Sequence, residues 1–155
     1  MNERQHDNSG RLLRVAMVGC GNISSYHLDA IRALKPRRVI VTAVVDPDDS
    51  SAATFSRAVT KKLQQRVEPR IFRTIDDALA ADPRLELFEA CDVMVPSWDT
   101  PESGDLHESV AVKVLQSGRH LMLEKPIAVT SVAAKRIIKA HHDRHVQLTQ
   151  QPQVW

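Results

Sequence analysis

Short apolar runs alternate along this chain with stretches whose apolar residues recur every three or four positions. Residues 14–18, 39–45, 71–73, 91–95, 120–123 and 146–149 are the runs, built mainly from Val, Ile, Leu and Ala, and each predicts a strand. Helical spacing fills the intervals. Ile23, Ala30, Ile31 and Leu34 predict a helix over 22–34, stopped by Pro36. Ser50 or Ser51 is placed to cap a long helix through Ala58 and Leu63. Thr74 and Asp77 have the spacing of a capping box, with Asp for the usual Glu, ahead of a helix through Leu79. Residues 96–105 read as a polar loop containing Pro101 and Gly104. Val110, Val114 and Leu115 share one side of a helix over 106–116, which Gly118 ends. Thr130 caps a last helix carrying Ala133, Ile137 and Ile138.

Six strands with helices between them predict an α/β fold, a doubly wound parallel sheet of the Rossmann NAD(P)-binding kind, in a single domain. The expected domain covers 13–150, with a disordered tail at 1–12 and a short tail at 151–155. Composition supports this reading. Only 4% of residues are aromatic, so aliphatic side chains must build the core, as in sheets buried on both faces. Lys and Arg total 21 against 19 acids, too even a balance to predict a nucleic-acid or membrane-surface partner. No apolar stretch approaches the ~20 residues of a membrane span. Residues 1–10 lack the apolar centre of a signal peptide. Cys20 and Cys91 sit in apolar runs without a CxxC partner, which suits a reducing, cytoplasmic setting.

Candidate chemistry begins where the first strand ends. Gly19 allows a tight turn, and Gly21 lets backbone approach a pyrophosphate held at a helix N-terminus; Asn22 and Ile23 complete the loop. Ser24 stands where the dinucleotide fingerprint has its third glycine, and is small enough for helix and strand to pack closely. Asp46 closes the second strand at the distance the fingerprint requires. Its carboxylate suits adenosine ribose hydroxyls and repels a 2′-phosphate, so the pattern favours NAD over NADP. A tight turn with Asp46 as a helix cap is the competing reading.

A second signal, Glu124-Lys125-Pro126, lies at the carboxyl end of the fifth strand, where open α/β sheets bind ligands. A lysine there can stabilise charge on a substrate oxygen or take part in proton transfer, although the tripeptide taken alone reads rather as a surface salt bridge before a turn. With the helix starting near His107 and the glycine loop upstream, the segment 118–126 (Gly-Arg-His-Leu-Met-Leu-Glu-Lys-Pro) resembles the Gfo/Idh/MocA oxidoreductases, which include glucose–fructose oxidoreductase and inositol dehydrogenase. The resemblance covers roughly residues 14–150. It implies an NAD(P)-binding domain of an enzyme acting on secondary alcohols of a sugar, cyclitol or related small molecule. It implies further that Lys125 is catalytic and lies by the nicotinamide and the substrate hydroxyl, with Glu124 beside it. A cis peptide before Pro126 is also expected. Pro96, Ser97 and Trp98 follow the fourth strand and are expected to touch the cofactor. His107 either lines the cofactor site or only begins its helix.

Two departures from the family pattern stand out. The loop from Val95 to His107 is several residues longer than the family's short Thr-Pro loop. The chain also stops where the family's C-terminal substrate domain would begin, so that domain, with its acid and histidine, is expected to be absent. An enzyme fragment, a stand-alone NAD(H)-binding module and a non-catalytic truncated homologue are therefore all open readings, and substrate turnover requires a second domain. Without that domain, part of the sheet or of the helix around Ile137 and Ile138 is expected to lie uncovered, favouring a homo-oligomer. His141 and His145 have an i, i+4 spacing, but no third ligand accompanies them and no metal site is expected.

Overall fold

The computed structural model describes residues 11–34, 38–97, 99–100, 104–144 and 146–150. Residues 1–10 of the expected N-terminal tail, the expected tail at 151–155, the stop at Pro36 and the loop residue Pro101 lie outside these residues. The strands are β1 (Leu13–Val18), β2 (Val39–Val45), β3 (Arg70–Phe72), β4 (Ala90–Val93), β5 (Asp99–Thr100), β6 (Gly104–Asp105), β7 (His120–Leu123) and β8 (Leu148–Gln150). The helices are α1 (Ser24–Ala33), α2 (Asp49–Leu63), α3 (Ile75–Ala80), α4 (Leu106–Gln116) and α5 (Ser131–His142).

Six strands form one parallel sheet in the order β3-β2-β1-β4-β7-β8. The order reverses beside β1, between its neighbours β2 and β4. That is the switch point at which ligands enter such sheets. β1 and β2 lose register between Val15 and Ala16, because Thr42 is an extra residue in β2. Its hydroxyl donates to the Leu87 carbonyl at 2.7 Å, so the side chain at the bulge is paired.

Two cores lie on opposite faces of the sheet. On one, Leu28 of α1 and Ala52, Phe55, Val59 and Leu63 of α2 pack on Met17, Val41 and Val44. On the other, Ile75, Ala78, Val110, Val114, Leu115, Ile137 and Ala140 of α3, α4 and α5 pack on Ala16, Val18, Ala43, Val45, Cys91, Val93, Leu121 and Leu123. Because α3, α4 and α5 share one side, β7 and β8 turn His120, Met122 and Thr149 to the other side, where these are half-buried or exposed. This sheet face, rather than the α5 surface around Ile137, is the uncovered region. Ile137 is fully buried and only Ile138, 43% exposed, looks outward.

Several boundaries differ from the apolar pattern for identifiable reasons. Asp48, not Ser50 or Ser51, caps α2, its carboxylate accepting the Ser51 N–H at 2.6 Å. Strand β3 begins and ends one residue early, because pairing with Ala43 to Val45 sets its extent. Strand β4 ends at Val93, where its pairing with β1 and β7 stops. The polar loop contains a two-stranded antiparallel ribbon, β5 with β6. The Thr74 hydroxyl caps α3 by accepting the Asp77 N–H, as expected, while the Asp77 carboxylate accepts that hydroxyl in place of the capping box's backbone bond. Gly118 ends α4 with φ +80°.

The connection into β4 is pinned from inside. Asp82 accepts the N–H groups of Glu86, Leu87 and Phe88 and pairs with Arg119 at 2.9 Å, both side chains being buried. Burial alone would raise the Asp82 carboxyl, yet these donors hold it below the ordinary carboxylate range. The Arg119 guanidinium stacks on Phe88 at 4.4 Å.

Candidate nicotinamide dinucleotide site

A cleft of about 780 Å³ opens at the carboxyl ends of β1, β2, β4 and β7. Its wall contains Gly19, Gly21, Asn22, Ile23, Asp46, Pro96, Ser97, Glu124 and Lys125. The topology thus gathers residues spread over more than a hundred positions of sequence. Trp98 lies outside the described residues.

Each glycine has a distinct reason to be there. Gly19 adopts φ +94°, and a Cβ on it would come within 2.9 Å of the Met94 carbonyl oxygen. The turn out of β1 therefore passes against the end of β4 with no room for a side chain. Gly21 is the converse, since a Cβ on it would meet nothing within 4 Å. The space above it is open cleft, available to a ligand that approaches the backbone. Helix α1 then starts at Ile23 without a side-chain cap and without an acid in its first turn. The other four helices are each capped by a side chain, Asp48, Thr74, Asp105 or Thr130. Among the described helices this is the one start without a side-chain cap, and it faces the cleft, which suits a bound anion.

Asp46 is fixed from two directions. One carboxylate oxygen accepts the Cys20 N–H at 2.8 Å and the other accepts the Asp48 N–H at 2.9 Å. An ionised carboxylate has about four lone-pair positions, so acceptor capacity remains toward the cleft. Burial, then the Asp46 charge, then its hydrogen bond push the Cys20 thiol up to about 12, which keeps it protonated at neutral pH.

At the other end, Lys125 is exposed in the cleft and the Lys125–Pro126 peptide is cis. Glu124 is 9% exposed and its carboxylate is already engaged. Oε2 accepts the Lys125 N–H at 2.9 Å and Oε1 lies 3.0 Å from His27 Nε2. His27 Nδ1 in turn lies 2.9 Å from both oxygens of Asp92. Burial alone would lower the His27 pKa, but Asp92 and then Glu124 hold it above the ordinary histidine value. Burial raises the Asp92 carboxyl in spite of His27. His27 and Asp92 did not emerge as site residues from the sequence. The available signal was a carboxylate inside the apolar strand Ala90–Val93, which is costly to bury without a partner.

His107 sits in the first turn of α4 but is only 1% exposed and does not line the cleft. Its Nε2 faces the Val95 carbonyl at 2.8 Å and its Nδ1 faces the Pro126 carbonyl at 2.6 Å. It therefore ties together the two loops that carry Pro96, Ser97 and Lys125. His141 and His142 lie at the end of α5 with ring centroids 5.2 Å apart, while His145 is outside the described residues.

The family model for Gfo/Idh/MocA proteins, described as an oxidoreductase family with an NAD-binding Rossmann fold, matches residues 13–151. The chain belongs to this family. An inositol 2-dehydrogenase of Ralstonia nicotianae is 29% identical over 140 residues, spanning 88% of this chain and 36% of the relative. The crystal structure of the WlbA dehydrogenase from Bordetella pertussis, in complex with NADH and UDP-GlcNAcA, superposes with a TM-score of 0.71 at 29% identity. It covers 92% of this chain, which spans 35% of that one. GenD2 from gentamicin A biosynthesis, in complex with NAD, gives a TM-score of 0.69 at 27% identity, covering 90% of this chain and 34% of its own. This Gfo/Idh/MocA chain spans about a third of the length of the relatives it matches. The cleft lies within the residues that the family model matches. Among the described residues, no helix is long and apolar enough to cross a membrane.

Proposed function

We propose that this domain holds NAD for the interconversion of a secondary alcohol and its ketone on a sugar, cyclitol or related small molecule, with Lys125 as its catalytic residue. The observation that carries the reading is the composition of one cleft. It has an open position above Gly21, an uncapped helix start and a fixed carboxylate at one end, and an exposed lysine at the other. The relatives whose names report inositol 2-dehydrogenase activity, and the neighbour bound to NADH and UDP-GlcNAcA, support a polyol or sugar substrate.

Each residue has a definable task. The backbone around Gly21, Asn22 and Ile23 would receive the pyrophosphate, with the α1 dipole favouring its charge. Asp46 would accept from the adenosine ribose hydroxyls, and its charge disfavours a 2′-phosphate. Pro96 and Ser97 would border the nicotinamide portion. A bound nicotinamide supplies the hydride chemistry. Lys125 would orient the substrate hydroxyl and assist movement of its proton. The remaining substrate contacts, by family resemblance, come from a second domain.

Calorimetric titration with NAD, NADH and NADPH tests the cofactor half of the reading. Micromolar NAD or NADH binding, weaker for NADPH, is expected. Asp46→Ala should weaken NAD at least tenfold and narrow its margin over NADPH. Equal affinity for all three nucleotides in both proteins would refute the role of Asp46.

A further inference from the structure

The cluster beneath Lys125 has a feature its packing alone does not require. His27 presents both ring nitrogens to carboxylates, Nδ1 to Asp92 and Nε2 to Glu124. Two N–H donors satisfy both contacts, and only imidazolium has two. With a neutral ring, one carboxyl must carry the second proton instead. Either way the His27–Asp92–Glu124 set holds two protons, and removing one sets a lone pair of the ring against a carboxylate. Glu124 then connects this set to the site, because its second oxygen accepts the Lys125 backbone N–H.

We propose that His27 and Asp92 are positioning residues for Lys125, forming a buried proton-holding clamp that grips Glu124 and through it fixes the Lys125 backbone in the cleft. The inference rests on the reading that this cleft takes a nicotinamide dinucleotide with Lys125 at its nicotinamide end. Among the described residues, Asp92 from β4 and Glu124 from the end of β7 are charged groups facing the ring, and Lys125 lies beyond Glu124. Asp92 is the more deeply buried carboxylate and Glu124 borders the cleft, so Glu124 is the arm free to move when a proton is lost.

The pH sense follows from the two shifts. The His27 pKa lies above its ordinary value of about 6.5, and the Asp92 pKa also lies above its ordinary value. The folded state therefore binds more protons than the unfolded chain in both windows. Stability from the clamp is present below the ordinary histidine range and declines as pH rises through the folded His27 value.

The clamp makes separable predictions for two substitutions. Gln at position 27 places an amide N–H near the former Nε2 and can still donate to Glu124, whereas Asn places one near the former Nδ1 and reaches only Asp92. In ¹H–¹⁵N spectra of the ligand-free chain, the Lys125 amide resonance should shift with a midpoint above the ordinary histidine range. His27→Gln should abolish this titration while keeping the resonance near its low-pH position, and His27→Asn should displace it at every pH. The ratio of NADH to ADP-ribose affinity then reads the consequence at the nicotinamide end. It should fall about tenfold in His27→Asn and in the parent chain at high pH, and stay level in His27→Gln. A Lys125 amide that ignores pH in the parent chain overturns the clamp without reference to ligand. An amide that titrates as described, in a chain that binds neither NADH nor ADP-ribose, upholds the clamp and overturns the cofactor reading instead.

Discussion

At the scale of single residues, the site depends on side chains that are absent as much as on those present. Gly19 is the clearest case, because its positive φ and the approach of the Met94 carbonyl both exclude a Cβ. Gly19→Ala should therefore destabilise the fold by roughly 1–3 kcal/mol, a typical cost of left-handed backbone at a non-glycine residue. It should also displace the loop that carries Cys20, whose N–H fixes Asp46. Chemical denaturation and NAD titration would be read together, and a variant equal to the parent in both would refute the close approach. Gly21→Ala should differ in kind, leaving stability little changed while weakening nucleotide binding, because its Cβ meets only open cleft.

Elements are held in place here by polar residues working at their ends. Asp105 is a good example. One oxygen accepts the Glu108 N–H at 3.3 Å, capping α4, and the other accepts the Val129 N–H at 2.7 Å, tying the approach to α5. Arg136 and Glu108 join the same two helices at 2.7 Å on the surface, a contact worth little by comparison. Asp105→Ala should lower stability by about 1–2 kcal/mol through the lost cap. Arg136→Ala should cost less than about 1 kcal/mol. Thermal melts of both variants check the order, which would be reversed if the ion pair were the stronger link. His107 works at the same scale, since its ring lies between the loop after β4 and the loop after β7.

For the whole molecule, the question is which surfaces the helices leave uncovered. Of the described helices, three pack on one side and two on the other, where α2 lies over β2 and β3 and α1 reaches β4 through the His27–Asp92 contact. The edge of the sheet formed by β7 and β8 exposes His120 and Thr149 and half-buries Met122 on that side. Val132 and Ile138, 55% and 43% exposed, add apolar surface on α5. Light scattering on a dilution series should show weak self-association that Met122→Glu reduces more than Ile138→Glu. A monomer at all concentrations would mean that the polar residues bordering this face are enough to keep it solvated.

The apolar periodicity along the chain determined the α/β class and the existence of every strand in the main sheet, because strand and helix repeats differ and the turn residues separate them. The glycine loop and Asp46 were legible as residues at strand ends that line the cleft, whereas Lys125 was singled out through the resemblance of its Glu-Lys-Pro segment. Tertiary structure decided the rest. The lengths of β3 and β4 depend on partner strands distant in sequence. The cap of α2 fell to Asp48 because the chain leaves β2 in a turn that also fixes Asp46. His107 could be read as a cleft residue until folding enclosed it between two carbonyls. The cluster of His27, Asp92 and Glu124 joins residues 65 and 97 positions apart, and burial makes their shared protons matter. Local pattern carries no record of which polar residues will meet in the interior, because that is fixed by strand order, and strand order is a property of the folded sheet.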